Sequence, residues 1–336
     1  MVPFTFARSS SVASAVQTGA LHVSSQSEEP GTAFFAGGTD MVQLMREQVL
    51  NPRHVVDVTA LPAISDIVAG PAGATLGALV RMSDAAEHPG VREHYPVIAE
   101  ALLASASPQV RNLATLGGNL LQRTRCGYFR DVASPCNKRQ PGSGCPAING
   151  QNRLHAVLGT SEHCIATYAG DLANALLVLD AKIRIAGSRG ERQIALRDLH
   201  KQPHDTPHVE TQLAPGELIL AIEIPSSAAA RKSHYLKVRD RATFEWSIAS
   251  VAVALDLDSF GAVRDVRLAV GGVATTPWRL PEVEKALHGH VLDSGLCRHA
   301  AELATRNAVS HGQNVYKIKL IQRAIVRALE ETGGLA

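Results

Sequence analysis

With 336 residues, of which 45% are hydrophobic and 19% charged, the chain has the composition of a globular protein with more than one hydrophobic core. Its formal net charge of +2 gives no electrostatic reason to expect a nucleic acid or a membrane surface as a partner. The first residues do not form a basic segment followed by an apolar core, and no apolar run could span a bilayer, so neither a signal peptide nor a membrane span is expected.

A glycine turn is the first motif along the chain. Ala33–Ala36 predicts a short buried strand, which continues into the turn Gly37–Asp40, and residues 41–49 predict a helix. A strand, a glycine turn and a helix start together direct backbone N–H groups to a point where a phosphate can bind. Taken alone, the motif is explained more simply by Thr39 or Asp40 capping the helix, and it does not match the dinucleotide fingerprint GxGxxG.

A second pair of glycines follows three short predicted strands and a predicted helix, at 55–58, 66–68, 74–79 and 97–106. It lies in the segment Pro108–Asn119, which contains Arg111 and ends in Leu116-Gly117-Gly118-Asn119. One such loop is a weak signal. Two of them in one α/β region predict a ligand with two phosphates or a long polar chain, such as a flavin or nicotinamide dinucleotide, bound between subdomains.

Residues 120–170, the cysteine-rich stretch, also contain many glycines and prolines. These glycines and prolines exclude one long helix or strand. A loop of that length inside a domain needs additional interactions that fix its conformation. Four thiolates bound to a metal centre would fix the conformation of this loop. The intervals of nine, eight and eighteen residues lack the Cys-x2–4-Cys pairs of structural zinc sites, whereas the spacing in Fe–S proteins varies more. Spacing alone leaves an Fe–S cluster, zinc and plain buried thiols open for the four cysteines, Cys126, Cys136, Cys145 and Cys164.

Other polar residues of the cysteine-rich stretch carry weaker hypotheses. His155 or His163 could serve as an alternative metal ligand or tune a cluster through a hydrogen bond, although a polar loop residue is the simpler account of both. A solvated loop is also the simplest account of the basic residues, Arg123, Arg125, Lys138 and Arg139. Cys297 lies outside the stretch in a helical pattern and is expected to be an ordinary thiol.

Beyond residue 171 the pattern predicts the remainder of one domain and then a second domain. A helix and two strands are expected at 172–179, 182–186 and 218–224. A small polar linker at 226–232 marks the predicted domain boundary. The last domain is expected to contain two strands and three helices, at 249–257, 263–270, 281–287, 292–304 and 319–329.

Five motifs give the chain a resemblance to a known family, in the same order and over nearly its whole length: Phe35–Asp40, Arg111–Asn119, Gly170–Asp171, Tyr235–Arg241 and Gly271–Arg279. They resemble the FAD-binding subunit of the xanthine dehydrogenase and aldehyde oxidase family, the molybdenum hydroxylases. Within that family, Leu121–Cys126 and Pro135–Arg139 are most similar to the medium subunit of the three-subunit periplasmic aldehyde oxidoreductases of bacteria.

The resemblance implies an α+β fold in two parts. A PCMH-type FAD-binding domain of two α/β subdomains would cover residues 1–226, with the first subdomain at about 1–57. A smaller C-terminal α+β domain, like that of the CO dehydrogenase flavoprotein, would cover 230–334. The cysteine-rich stretch, at about 120–166, would be an insertion that holds one 4Fe–4S cluster on its four thiolates.

The same resemblance assigns residues to the flavin. The backbone N–H groups of Phe34–Asp40 would hold the FAD pyrophosphate on one wall of the site. The segment Pro108–Asn119, called the second glycine segment below, would form the other wall. Asp171 would bind the ribityl chain, and Lys237 would lie near the isoalloxazine edge. The complete set is Phe34, Phe35, Ala36, Gly37, Gly38, Thr39, Asp40, Arg111, Thr115, Gly117, Gly118, Asn119, Asp171 and Lys237. Two departures from the family pattern lie beside this site, Ala169-Gly170 before Asp171 and the pair Glu245-Trp246.

The resemblance also implies a function. The chain would be an electron-transfer subunit without substrate chemistry of its own, in which FAD is the redox centre. A large molybdopterin subunit would oxidise an aldehyde, and electrons would cross a small 2Fe–2S subunit to FAD and leave to an external acceptor. Such a heterotrimer would be periplasmic through co-export with a signal-bearing partner, or else cytoplasmic. Two alternatives stay open: the corresponding subunit of a hydroxybenzoyl-CoA-type reductase with reversed electron flow, and a zinc-stapled scaffold that binds a nucleotide.

Overall fold

Three β-sheets organise the part of the chain that the computed structural model describes, residues 1–21, 31–62 and 64–335. A three-stranded sheet comes first, a five-stranded sheet follows, and a four-stranded sheet is built from the C-terminal third. None of the helices in these ranges is long and apolar enough to cross a membrane.

The first sheet is parallel and carries the glycine turn. Its elements are, in chain order, β1 (Thr5–Arg8), α1 (Val12–Leu21), β2 (Thr32–Phe35), α2 (Met41–Arg46) and β3 (His54–Asp57). The strands lie in the order β1-β3-β2, and because they run parallel, their carboxyl ends share one edge of the sheet. The glycine turn follows β2 at that edge. The strand predicted at 33–36 is confirmed, although its residues are half-buried rather than buried.

An antiparallel sheet of five strands follows. Its first two strands and the helices after them are β4 (Ile67–Gly70), β5 (Gly73–Gly77), α3 (Met82–Glu87), α4 (Pro89–His94), α5 (Pro96–Leu103), α6 (Pro108–Arg111), α7 (Leu116–Leu120), α8 (Gly127–Arg130) and α9 (Leu172–Leu177). The chain then returns to the sheet with β6 (Lys182–Gly187), β7 (Gly190–Ala195) and β8 (Leu218–Pro225). The strand order is β4-β5-β8-β6-β7. Helices α5 and α9 pack against each other, and their apolar residues form the centre of the first core.

The third sheet and three long or medium helices complete the chain. They are β9 (Ser233–Val238), β10 (Ala249–Leu257), β11 (Val263–Gly271), β12 (Trp278–Arg279), α10 (Pro281–Leu287), α11 (Ser294–Leu303) and α12 (Tyr316–Gly333). The strands are antiparallel in the order β12-β11-β10-β9, and α12 lies across β10. The helix predicted at 319–329 lies within α12, where Ile321, Ile325 and Leu329 are fully buried.

Strand β10 is buried on both faces and joins two cores. Ala252 and Ala254 face the first core, whereas the residues between and beside them, Val251, Val253 and Leu255, belong to the C-terminal core. Alternation of side chains along a strand produces this division. Within the predicted linker at 226–232, Ala229 and Ala230 are buried in the first core, whereas the other residues are exposed or half-buried.

The end of the cysteine-rich stretch belongs to the C-terminal core. Val157 and Leu158 are buried in that core, and the N–H of Val157 donates to the carbonyl of Val273 at 2.8 Å. Leu158 also forms a parallel bridge with Ala274. The stretch therefore starts beside the first glycine turn and ends against strands made much later in the chain.

Candidate functional site

A cleft of about 430 Å³ lies between the glycine turn after β2 and the second glycine segment, which contains α6 and α7. The loop after β9 closes part of the remaining side with Phe244, Glu245 and Trp246. Ten of the fourteen residues that the resemblance assigned to FAD line this cleft: Phe34, Ala36, Gly37, Gly38, Thr39, Asp40, Thr115, Gly118, Asn119 and Asp171. The fold thus brings three distant motifs to one place.

The glycine turn presents its backbone to the cleft. Gly38 has a φ of +68°, a left-handed conformation that glycine adopts without strain. A Cβ on Gly37 would lie 2.1 Å from the carbonyl oxygen of Leu113, so only glycine lets this turn approach the opposite wall so closely. Among the residues that the structure describes, the N–H groups of Gly37, Gly38 and Thr39 donate to no protein acceptor. Unused N–H groups in a glycine turn can bind an anion.

The opposite wall uses its backbone differently. Thr115 caps α7 by accepting the N–H of Gly118 at 3.3 Å, and the two N–H groups between them bond to carbonyl groups just after β5. The amide Oδ1 of Asn119 is buried without a partner among the described residues, while its Nδ2 lies 3.4 Å from the sulfur of Met82. A buried amide oxygen that the protein leaves unsatisfied is a place for a ligand donor. This wall therefore offers a ligand polar side-chain groups rather than unused main-chain N–H groups.

Asp171 forms the floor of the cleft and is 4% exposed. One carboxylate oxygen accepts from Tyr235 Oη at 2.6 Å and from Ser247 Oγ at 2.8 Å. The other accepts from Ser105 Oγ and Lys237 Nζ, both at 2.8 Å. Burial, together with this carboxylate, raises the pKa of Tyr235 well above its ordinary value, so the phenol remains a donor. Four side chains with donor groups therefore surround the carboxylate, and Asp171 organises the floor of the cleft.

The other four assigned residues stand behind the cleft surface rather than lining it: Phe35, Arg111, Gly117 and Lys237. Besides its bond to Asp171, Lys237 donates to the carbonyl of Ala104 at 3.0 Å. Arg111 donates to the carbonyl of Ser105 at 2.8 Å and so fixes the loop after α5. Several lining residues were not predicted, namely Ser105, Ala106, Ser107, Gln122, Arg123, Arg125 and Phe244. The run of small residues at 104–107 was the one sequence signal for this loop, in which Ala106 has a φ of +50°.

The carboxylate of Asp40 binds residues of the cysteine-rich stretch. It makes no hydrogen bond to the start of α2, so the explanation of Asp40 as a helix cap is wrong. Instead it accepts the backbone N–H of Arg123 at 2.8 Å, Nη1 of Arg125 at 2.7 Å and Nη2 of Arg130 at 2.8 Å. Donor and acceptor are both charged in the two arginine bonds, and charge-assisted bonds are shorter and stronger than neutral ones.

The basic side chains of the cysteine-rich stretch do not form a solvated loop, so that expectation is wrong as well. Arg123 and Lys138 both pair with Glu210, at 2.8 and 3.0 Å. Burial alone would raise the pKa of Glu210, but the charges of Lys138 and Arg123 lower it to about 2. Arg139 donates to the carbonyl groups of Tyr128 and Phe129, at 3.0 and 2.6 Å. The ion pairs and hydrogen bonds of these cations stabilise the fold of the stretch.

Two buried asparagines order the stretch further. The backbone N–H of Asn137 donates to the carbonyl of Gly144 at 2.9 Å, and its Oδ1 accepts the N–H of Gly144 at 2.7 Å. Asn152 exchanges two hydrogen bonds with Gln313, at 3.1 and 3.0 Å. The expectation that this long irregular segment must be held in place is confirmed. Hydrogen bonds from buried protein side chains contribute to holding it.

All four cysteines of the stretch line one small cavity beside α8: Cys126, Cys136, Cys145 and Cys164. None of them is in a disulfide. Within residues 1–21, 31–62 and 64–335, no group of three or more His, Cys, Asp or Glu side chains is placed to hold a single metal ion. Cys297 lies apart from the cavity, fully buried in α11.

Main-chain N–H groups face the cysteine sulfurs. Burial raises the pKa of Cys126 to about 12 and that of Cys164 to about 11, and it also raises the pKa of Cys145. The N–H groups oppose these shifts: Tyr128 and Phe129 at Cys126, Ala147, Ile148 and Ile165 at Cys145, and Ala166 at Cys164. Donors of this kind stabilise thiolates, the form of cysteine that binds metals.

One of the two histidines of the stretch contacts a cysteine. His155 Nε2 lies 3.2 Å from the sulfur of Cys126, and the ring is 8% exposed. Burial lowers the pKa of His155 to about 4, so the imidazole is neutral near pH 7. His163 is instead at the surface, 3.6 Å from Asp205.

Comparison with known proteins gives the same two-part division. A family model described as the FAD binding domain in molybdopterin dehydrogenase matches residues 3–227, and one described as the CO dehydrogenase flavoprotein C-terminal domain matches residues 234–332. The aldehyde oxidoreductase FAD-binding subunit PaoB of Escherichia coli K12 is 42% identical over 332 residues, which cover 98% of this chain and 98% of that protein.

More distant proteins share the fold. The glyceraldehyde dehydrogenase medium chain of Sulfolobus acidocaldarius is 25% identical over 300 residues, covering 88% of this chain and 89% of the relative. A chain of the reconstituted CO dehydrogenase from Oligotropha carboxidovorans superimposes with a TM-score of 0.75 at 22% identity, covering 100% of both chains. The α+β fold that the resemblance implied is therefore confirmed. The chain belongs to the FAD-binding subunits of the molybdenum hydroxylase family, and it is an oxidoreductase subunit of the aldehyde oxidoreductase and xanthine dehydrogenase type.

Proposed function

We propose that this chain carries FAD in the cleft between its two glycine segments and a 4Fe–4S cluster on its four clustered cysteines, as the electron-transfer subunit of an aldehyde-oxidising molybdenum enzyme. The observation that carries the proposal is a pair of neighbouring sites. One is a cleft with unused N–H groups and an unsatisfied amide oxygen, and the other is a cavity lined by four thiols. The 42% identity to a subunit named for aldehyde oxidoreductase supports an aldehyde as the substrate of the complex.

The residues of the cleft suit a dinucleotide. The N–H groups of Gly37, Gly38 and Thr39 would bind the pyrophosphate, and the free Oδ1 of Asn119 would accept a hydrogen bond from the ligand. Trp246, which is 41% exposed, offers an aromatic surface at the open side, where a flavin ring can pack. Bound FAD supplies the redox chemistry that side chains lack.

Replacing Gly37 by alanine tests the close approach of the two walls. The added Cβ would lie 2.1 Å from the carbonyl oxygen of Leu113, so the walls must separate. We expect the free energy of unfolding to fall by about 1–3 kcal/mol and FAD affinity, measured by quenching of flavin fluorescence, to fall about tenfold. Gly70→Ala is the matched control, because nothing lies within 4 Å of its Cβ position. Equal affinities for the two variants would contradict the placement of the pyrophosphate.

The cysteine cavity suits a cluster better than a single ion. Four sulfurs bound to one zinc ion at about 2.3 Å must lie within about 4 Å of one another. In a 4Fe–4S cluster each thiolate binds a different iron, so the sulfurs stand further apart around a larger group. The four thiols that line this cavity are the set of ligands that the second arrangement requires. A bound cluster supplies one-electron transfer.

The proposal includes two partner subunits. A large molybdopterin subunit would oxidise the aldehyde, and a small 2Fe–2S subunit would stand between it and this chain, which would pass the electrons to an external acceptor. Relatives named as medium chains support this role, including the carbon monoxide dehydrogenase medium chain of Afipia carboxidovorans, which is 24% identical over 299 residues. The side chains of this subunit would then bind and orient cofactors rather than act on the aldehyde.

A visible spectrum with and without dithionite, together with iron, zinc and flavin assays, tests the proposal. We expect flavin bands over a broad shoulder that dithionite bleaches, and about four irons per flavin. Flavin without iron would remove the cluster from the proposal and leave a simple flavoprotein subunit. A colourless protein that contains zinc would contradict the redox function and favour the scaffold alternative.

A further inference from the structure

Asp40 belongs to one proposed site and is bound by residues of the other. It lines the cleft as the last residue of the glycine turn, yet all three of its close polar partners come from the cysteine-rich stretch. The side chains of Asp40, Arg125 and Arg130 are 16%, 20% and 14% exposed, so these bonds are shielded from bulk water. Shielded charge-assisted bonds fix the glycine turn and the cysteine-rich stretch relative to each other.

The two arginines are also tied to Cys126. Arg125 precedes Cys126 in the chain, and its guanidinium lies 4.3 Å from the ring centroid of Trp246, at the open side of the cleft. Arg130 ends α8, and its backbone N–H donates to the carbonyl of Cys126 at 3.1 Å. A displacement of Cys126 therefore moves both guanidinium groups that hold Asp40.

The charge of Asp40 is needed to keep these groups together. Arg125 and Arg130 carry like charges beside each other, and among the residues that the structure describes Glu47, 3.4 Å from Arg130, is the one other carboxylate facing them. Without Asp40, repulsion would drive the start of the cysteine-rich stretch away from the glycine turn.

We propose that Asp40 is a positioning residue that couples the two cofactor sites, so that filling the cysteine site raises the affinity of the cleft for flavin. The inference rests on the proposed function, since it requires both cofactors. By linkage, bound flavin must raise the affinity of the cysteine site by the same factor, and about tenfold is within the usual range of such coupling. Asp40 acts here through its side chain, whereas the turn would hold the pyrophosphate through its main-chain N–H groups.

The test compares FAD affinity in two iron states of the full chain. Purified protein is stripped of flavin, half of it is depleted of iron with an oxidant and a chelator, and FAD binding is followed by fluorescence quenching alongside an iron assay. We expect iron-loaded wild-type protein to bind FAD about tenfold more tightly than the iron-free form. In Asp40→Asn the two iron states should bind FAD equally. Asp131→Asn is the matched control, because Asp131 lies in the same stretch but its carboxylate, among the described residues, accepts hydrogen bonds just from Ala133 and Ser134, and it should keep the tenfold ratio.

The outcomes separate coupling from a local effect on the cleft. If Asp40→Asn weakened FAD binding by the same factor in both iron states and kept the ratio, the coupling role of Asp40 would be overturned. Equal affinities in the two iron states of the wild-type protein would overturn it as well. Wild-type protein that binds flavin and holds no iron would contradict the proposed cysteine site itself, which is a different result from iron-loaded protein without coupling.

A second variant covers the case in which Asp40→Asn does not fold, as judged by circular dichroism. Cys126→Ser leaves Asp40 and its arginine partners in place but removes one ligand of the cysteine site. We expect its FAD affinity to equal that of iron-free wild-type protein, about tenfold weaker than the iron-loaded form. An affinity equal to that of the iron-loaded form would overturn the proposal.

Discussion

Asp171→Asn should lower the free energy of unfolding by about 3–5 kcal/mol, because it removes the counterion of a buried cation. Lys237 lies behind the cleft with its side chain 3% exposed, and Asp171 is the one carboxylate paired with it among the described residues. Asparagine is nearly the same size and can still accept from the hydroxyl groups, so the loss comes mainly from the charge. Urea unfolding followed by tryptophan fluorescence measures it. We also expect purified Asp171→Asn protein to retain less flavin per chain than the wild type.

An ion pair at the protein surface provides the control for the Asp171→Asn variant. Asp240 pairs with Arg153 at 3.0 Å, and both side chains are 51% exposed. Asp240→Asn should change the free energy of unfolding by no more than about 1 kcal/mol, since water screens exposed pairs. The double variant Asp171→Asn with Lys237→Met should regain part of the lost stability, because it no longer leaves a buried charge unpaired. An Asp171→Asn protein as stable as the Asp240→Asn protein would refute the organising role of this carboxylate.

Iron retention is the second large expected effect. Replacing any one of the four cavity cysteines by serine should reduce the iron content from about four per chain to below one, since each thiolate binds its own iron. The broad absorption that dithionite bleaches should disappear while the flavin bands remain. A colorimetric iron assay and the visible spectrum measure both effects. The variants are Cys126→Ser, Cys136→Ser, Cys145→Ser and Cys164→Ser.

Cys297→Ser is the control for these variants. Cys297 is buried like Cys164, so its replacement also perturbs a packed core, but it lies in α11 and does not line the cavity. We expect its iron content to match the wild type. If Cys297→Ser lost iron as the other variants do, the loss would reflect general destabilisation, and the cavity would no longer account for it.

Helices and strands with long apolar patterns could be predicted from the sequence, because the burial of one or both faces determines the pattern. The strand at 249–257 and the helix at 281–287 have the predicted limits in the structure, since each is a sustained apolar pattern with clear ends. Strand β7 (Gly190–Ala195) was not predicted. It is a mostly polar edge strand whose partner β6, rather than its own composition, fixes its conformation.

The cleft could be located from its glycines, but its electrostatics could not be predicted. Gly37 and Gly38 mark a close approach of the backbone, and this is visible in the sequence. The partners of Asp40 lie 83 to 90 positions away in the chain, and no local pattern links them. For that reason helix capping was the natural hypothesis for Asp40. The same holds for Glu210, whose partners Arg123 and Lys138 seemed to belong to a solvated loop.

The cysteines show a different limit. Their crowding predicted that they would meet, and the cavity that they line is consistent with it. Their spacing could not decide what they hold, because cysteines brought together by irregular backbone need no fixed interval. The order of the stretch also has a cause that the sequence did not indicate, namely the buried amides of Asn137 and Asn152.

The contacts at the end of the cysteine-rich stretch have a consequence for biosynthesis. Asn152 is held by Gln313, 161 positions later, and Val157 by Val273. At a translation rate of about 5–20 residues per second, roughly ten to thirty seconds pass between the synthesis of Asn152 and that of its partner. During that interval the thiols are on the nascent chain without their finished surroundings. The surroundings of the thiols are therefore complete only once Gln313 has been synthesised.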